Sequence, residues 1–301
     1  MWLLFAFSGP VMWAASTHID KYLVERYFKH SDTAVLMVFT ALIGLLMLPF
    51  ILWFVPGVLE LPLLSIVVMA ASGVFYMGAM LIYLRALQSE EASVIAPLFQ
   101  FWILWGAVLA YVFLGETLTP LELGGAMLII CGALLLSLDP LLGFKRFKLR
   151  LVLLMLGCTF VLALSSVIFK FFAVRDEYWV TTFWTYAGEA CFGAALLMVP
   201  AYFRQFVELM RSNTRAMFGI NASNELINLG GNLGVRYAFL LVPVALVQAV
   251  ASTTTLFIFF FGVLLTFFAP HLGREDLSRA NLMQKGAAAL LVAAGVWLVN
   301  M

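Results

Sequence analysis

Ten long apolar runs separated by short breaks constrain what this chain can become. Their approximate limits are 2–20, 34–55, 62–87, 92–114, 120–139, 149–173, 180–203, 215–239, 243–268 and 281–300. At ~1.5 Å per residue, each can cross a hydrocarbon layer ~30 Å thick if it is helical. Together they take up most of the 301 residues, and the chain is 64% hydrophobic and 11% charged, so lipid is the expected solvent. A strand reading would need a ~10-residue alternation that the runs lack, and an unclosed sheet would leave backbone groups unpaired in lipid. The expected fold is an all-α integral membrane protein with ten transmembrane helices, placed in the cell membrane (inner or plasma).

The first run has no charged segment before it, so Trp13-Ala14-Ala15-Ser16 is read as part of a span and not as a signal cleavage site. An internal repeat supports that reading. A shift of 149 residues pairs Ala14, Ser16, Thr17, Ile19, Lys21 and Tyr22 with Ala163, Ser165, Ser166, Ile168, Lys170 and Phe171. Later, Glu116 to Thr119 (ETLT) resembles Glu275 to Ser278 (EDLS), each before the last span of its half. Two five-span halves follow, residues 1–140 and 149–301, joined by a loop at 141–148 within DPLLGFKRFKLR. Five is odd, so the second half enters from the opposite side and the repeats are inverted.

Loop charge gives an orientation. Of the 17 Lys and Arg residues, 14 lie in the connections after spans 1, 3, 5, 7 and 9 or at the span ends beside them, which places both termini outside the cytoplasm.

The stretch GINASNELINLGGNLGVRY, Gly219 to Tyr237, is the polar exception in the eighth span. At ~100° per residue, Asn221, Asn224, Glu225, Asn228, Asn232 and Arg236 fall within an arc of about 120°. Gly230 and Gly234 lie on the opposite side, as a G-x-x-x-G that admits a neighbouring backbone. A lone Asn is commonly glue between helices, but four Asn with an ionisable Glu exceed that need and point to an interior cavity. Other spans offer polar faces by the same rotation: Ser72, Tyr76 and Tyr83; Ser93, Gln100 and Tyr111; Thr159, Ser166 and Lys170; Thr182, Thr185, Tyr186 and Glu189; and Gln248, Ser252 and Thr255. Their Ser and Thr hydroxyls can equally bond their own backbone. Glu189 and Lys170 are ionisable groups inside spans, so they are functional candidates unless they form a structural ion pair. Of Trp13, Trp102 and Trp105, only Trp13 has a claim on the cavity. Cys131, Cys158 and Cys191 lie in apolar runs without metal-ligand spacing and read as small hydrophobes.

Trp13-Ala14-Ala15-Ser16 with Lys21 resembles the W-G-s-x-x-x-x-x-K pattern of the EamA branch of the drug/metabolite transporter superfamily. Pro97 in the fourth span, then L-G-E-x-L-T at Leu114 to Thr119 and a fifth span opening near Gly124 and Gly125, are similar to that family's fourth and fifth helices. Ala14 stands where the family usually has Gly. The resemblance implies two halves moving about a central cavity, small metabolites or drugs as substrates, and peripheral helices 5 and 10, which are then free to pair two copies as a homodimer. It also implies termini inside the cytoplasm, against the loop charges.

The expected function is alternating-access transport of a small polar metabolite, an amino acid or similar, or a drug. Asn221, Asn224, Asn228, Asn232, Gln248, Ser252, Gln100, Tyr76, Tyr83 and Trp13 would bind the solute. Glu225, Glu189 and Lys170 would handle the coupling ion or proton, with Lys170 as counter-charge. No cofactor, metal or nucleic acid is expected. An intramembrane enzyme is disfavoured, since the chain has no H-E-x-x-H, P-loop or G-x-S-x-G and its three histidines, His18, His30 and His271, are far apart. A receptor or scaffold without transport is the other alternative.

Overall fold

The computed structural model describes residues 1–27, 31–89, 95, 98–137, 149–268 and 278–301, and these form helices without strands. Pro97, Ser93, the loop 141–148, His30, His271 and Glu275 lie outside the described residues. The helices are α1 (Trp2–Arg26), α2 (Thr33–Phe54), α3 (Leu63–Ser89), α4 (Phe101–Leu114), α5 (Pro120–Ser137), α6 (Leu149–Arg175), α7 (Tyr178–Leu197), α8 (Pro200–Ser212), α9 (Ala222–Leu241), α10 (Val244–Ala251), α11 (Thr254–Phe268) and α12 (Arg279–Leu298). By length and composition four stretches can cross a membrane, namely α2, α3, α6 and the Val244–Phe268 segment, or five if α7 and α8 are taken as one bent span.

Three boundaries depart from the apolar runs, each for a local reason. The seventh run ends early, because Pro200 begins α8 and holds Val199 extended, and the axis turns by 99°. Beyond the bend α8 is amphipathic: Phe206, Leu209 and Met210 pack inward while Arg204, Glu208 and Arg211 stay outside. The ninth run is interrupted by a turn at Ser252 and Thr253 between α10 and α11. The eighth begins with a π-helical turn, Met217–Asn221, before α9.

The packing is inverted relative to a water-soluble domain. Leu46, Phe50, Val112 and Leu290 are exposed, each by more than 60% of its surface, while Asn224, Gln248 and Glu189 are at most 1% exposed. Apolar side chains outside and polar ones inside fit a hydrocarbon solvent. Helix contacts pair α1 with α9 and α11, α6 with α3 and α4, α2 with α7, and α5 with α12.

Polar contacts tie the connections together at two places. At one end Asp32, before α2, accepts its ion pair from Arg85 of α3 at 3.6 Å, Arg85 donates to Tyr202 of α8 at 2.9 Å, and Gln205 accepts from the Asp32 backbone N–H. At another, Lys170 of α6 pairs with Glu116, between α4 and α5, and donates to the Val242 carbonyl at 2.7 Å.

Small residues set the closest approaches. A Cβ on Gly234 would lie 3.2 Å from the Phe5 carbonyl oxygen of α1 and would overlap Ser8, and one on Gly231 would lie 3.3 Å from Gly9 Cα. Gly230 differs from its expected role, since it faces the Met12 side chain instead of backbone. Gly125 of α5 and Gly295 of α12 meet in the same way, each against the other's carbonyl oxygen. Gly234→Leu should therefore force α1 and α9 apart and lower stability by about 1–3 kcal/mol or more. Thermal unfolding of the purified protein measures this, and an unchanged melting temperature would show that the contact is not needed.

Candidate functional site

The polar stripe of α9 is a helical face turned inward, with α1, α2 and α7 packed around it and Tyr76 of α3 and Phe169 of α6 closing on its Arg236 end. α1 covers its small side through the glycine contact, α2 lies against its first turns, and α7 reaches its far half, where the Tyr178 hydroxyl donates to the Leu233 carbonyl at 2.8 Å. Asn221, Asn224, Glu225 and Arg236 are buried, and Asn228 and Asn232 are partly so. The stripe divides into two groups.

The first is acidic. Asp20 of α1 accepts hydrogen bonds from Asn224 Nδ2 at 2.6 Å and from Ser16 at 3.3 Å. Glu225 Oε1 accepts from Thr40 of α2 at 3.2 Å, and Asn228 is also within its hydrogen-bonding reach. Glu225 Oε2, Asn221 Oδ1 and Asn224 Oδ1 are buried without a partner.

The second group is an ion pair in an aromatic enclosure. Arg236 donates to Glu189 of α7 at 2.5 Å, both side chains being less than a tenth exposed. Its guanidinium carbon is 4.8 Å from the Tyr186 ring centroid, 5.4 Å from Phe169 and 5.7 Å from Tyr76, close enough for cation–π attraction. Such a pair offsets the large cost of burying two charges, and removing one member would strand the other. Asn232 is within hydrogen-bonding reach of Tyr76. Arg236 Nη1 and the Tyr186 hydroxyl are buried without a partner. Unpaired donors thus remain at this end of the stripe and unpaired acceptors at the other.

The remaining expected residues sit elsewhere or have commitments of their own. Gln248 is fully buried on α10, and with its amide turned to suit its surroundings it donates to the Trp102 carbonyl at 3.2 Å and accepts from the Trp102 indole at 2.7 Å. Gly106 of α4 leaves the room, since a Cβ there would overlap the Gln248 amide. Ser252 donates to its own helix at Ala249 at 2.6 Å. Tyr83 stacks on Phe99 with centroids 4.4 Å apart, among α3, α4 and α6. Gln100 ends the turn before α4. Trp13 packs against Gly9 and Gly231 in the α1–α9 contact. Tyr111 is 64% exposed on the outer surface. Lys170 does not reach Glu225 or Glu189 as a counter-charge; it pairs with Glu116, whose other oxygen accepts from the Val244 N–H at 2.8 Å. Ser72, Thr182 and Thr185 bond backbone carbonyls of their own helices.

Sequence reasoning missed Asp20, Thr40 and the role of Glu116. Asp20 stood at the estimated edge of the first span, one helical turn after Ser16, and that spacing was its signal. Among the described residues, no three His, Cys, Asp or Glu side chains group to hold a metal ion.

Comparison with known proteins adds a family and a fold. No curated protein matches the chain. A solved structure described only as the crystal structure of a protein superposes with a TM-score of 0.63, covering 99% of this chain and 97% of that one at 17% sequence identity, a likeness of fold alone. The model of the EamA-like transporter family matches residues 1–138, which hold α1 to α5. With its apolar outer surface, the chain is a multi-pass membrane protein whose residues 1–138 are similar to the EamA-like transporter family.

Proposed function

We propose that this protein carries a small polar solute, an amino acid or similar metabolite or a drug, across a cell (inner or plasma) membrane by alternating access, and that it is not an enzyme. The observation that carries the reading is the α9 stripe: amides, a carboxylate and a guanidinium buried inside a molecule whose outside is apolar, with unpaired acceptors at one end and unpaired donors at the other. Lining of that kind hydrogen-bonds a polar solute in place of its water. The family match over residues 1–138 points the same way.

Two inverted five-helix repeats, with ten crossings, are part of this proposal. Exchanging the first five helices for α6, α7, α9, the α10–α11 pair and α12 turns the α1–α9 contact into α6–α3 and the α1–α11 contact into α6–α4, while α2–α7 and α5–α12 map onto themselves. α1, α5, α9, α4 and α12 fall short of the length or apolarity of free-standing spans, and packed neighbours would compensate. Alternating access would then be a rocking of the two halves about the stripe.

Within the stripe, Asn224, Asn228 and Asn232 with Tyr76 are the solute-binding groups, and Glu225 is the coupling group. Gln248, satisfied by Trp102, is assigned to packing, and Glu189 to holding Arg236. The Lys170–Glu116 pair ties α6 to two connections at one end and would break when that end opens.

The test is uptake of labelled solutes into proteoliposomes. A transporter accumulates or exchanges its solute unchanged, an enzyme converts it, and a scaffold does neither. Glu225→Gln keeps the size and most hydrogen bonds while removing the charge, so gradient-driven accumulation should be lost and solute exchange retained; accumulation equal to the parent's would remove Glu225 from coupling. Glu189→Gln should instead lower stability by about 3–5 kcal/mol by leaving Arg236 unpaired, as read from thermal unfolding. A melting temperature within a degree or two of the parent's would return Glu189 to the coupling candidates.

A further inference from the structure

Three buried oxygens on one helical turn make no hydrogen bond, although the Asn228 amide comes within reach of the Glu225 carboxylate. Asn221, Asn224 and Glu225 are at positions i, i+3 and i+4 of the same face, 1%, 0% and 5% exposed, and Asn221 Oδ1, Asn224 Oδ1 and Glu225 Oε2 are unpartnered. Leaving an acceptor buried and unpaired is costly, so three on one turn call for a shared partner. The backbone is arranged for the grouping. The π-helical turn Met217–Asn221 runs directly into α9 and sets the rotation at which Asn221 joins the other two, and π-turns recur at functional sites.

The partner must be positive. Asp20 and Glu225 place two carboxylates within electrostatic reach of each other, and among the described residues no Lys or Arg forms an ion pair with either. The cations nearest in role are committed elsewhere, Arg236 to Glu189 and Lys170 to Glu116. The groups facing the site from neighbouring helices are Ser16 and Asp20 of α1 and Thr40 of α2, and both hydroxyls donate to the carboxylates already. A proton on Glu225 would supply one donor and could satisfy one of the two amide oxygens, leaving the other bare. A metal cation would meet all three at once. An all-oxygen set selects a hard cation. Mg²⁺ keeps several of its waters and Ca²⁺ takes 6–8 oxygens, several of them usually carboxylate, whereas this ligand set carries a single negative charge, which a monovalent ion neutralises.

We propose that Asn221, Asn224 and Glu225 form a monovalent metal-cation site, with Asp20 as the positioning residue. Asp20 holds Asn224 Nδ2 at 2.6 Å, which fixes the amide so that Oδ1 is directed away from Asp20. It also adds a second negative charge beside the ion. The site deepens the transport reading, since it names the ion that would couple at Glu225, but the binding itself stands on side-chain placement alone.

The experiment is cation binding to the purified full chain without any solute. Melting temperature is followed as NaCl or KCl replaces choline chloride at constant ionic strength and pH, and ²²Na⁺ binding gives the stoichiometry. A ligand that binds the folded state raises apparent stability by mass action. The expected result is a saturable rise with Na⁺ or K⁺ and one ion bound per chain. Glu225→Gln and Asn221→Ala should abolish the rise, and Asp20→Asn should weaken apparent affinity by about tenfold or more, as loss of an orienting neighbour does at metal sites. Glu208→Gln on the surface of α8 should behave as the parent does. No saturable shift and no bound ²²Na⁺ in the parent would overturn the site, as would stabilisation that follows pH or Ca²⁺ alone. A normal cation response in Glu225→Gln would do so as well. If a variant fails to fold, the parent's stoichiometry and the Asn221→Ala response still decide. Binding without solute transport would fault the transport reading and leave the site standing; transport without binding would do the reverse.

Discussion

A carboxylate, a guanidinium and four amides on α9 and the π-turn that leads into it cannot face hydrocarbon, and the arrangement of the described helices around α9 follows from that constraint. α9 turns its glycines to α1, which allows contact at backbone distance at Gly231 and Gly234, and the same rotation carries the polar stripe inward toward α2 and α7. Once there, Arg236 requires Glu189, and the ring faces of Tyr186, Phe169 and Tyr76 enclose the pair. The position of α7 beside α3 rests on a second pair of close contacts, Gly73 against the Thr185 carbonyl and Gly188 against the Ala70 carbonyl. Packing by small residues thus supplies proximity, and buried polar pairing supplies register.

The two ends of the stripe have different chemistry. The Arg236 end is neutralised by Glu189 yet keeps unpaired donors, and the Glu225 end keeps unpaired acceptors without a cation. Neither end depends on the Lys170–Glu116 link, which acts where connections meet and gives the glutamate of the L-G-E-x-L-T stretch a structural task.

Much of this was legible in the sequence because helical periodicity fixes which residues share a face. The α9 stripe, its glycine back and the apolar outer surface follow from ~100° per residue and the lipid solvent. Partners across helices were not legible, since they depend on how each helix is rotated against the next. Glu189 was visible as an ionisable residue in a span, but nothing local says that it meets Arg236 and not Lys170. Gln248 read as a polar lining residue because its spacing matched Ser252, whereas Gly106 had opened a niche that seats it on Trp102. Asp20 escaped because an apolar run was ended at the first charge, while the helix continues to Arg26. The bend at Pro200 was written in the Val199-Pro200 step and was hidden by the apolar residues on either side.

Alternating access around the α9 stripe is tested most directly by the water accessibility of that helix in membranes. Single cysteines would be placed at Asn224, Asn228, Asn232, Leu226 and Tyr237 in a background lacking Cys131, Cys158 and Cys191, and labelled with a membrane-impermeant thiol reagent from each side in turn. Movement of the two halves predicts labelling at Asn228 and Asn232 from both sides, changed by solute, and none at Leu226, which faces outward. Equal protection of all five positions under every condition would contradict it, as would labelling that ignores the polar face.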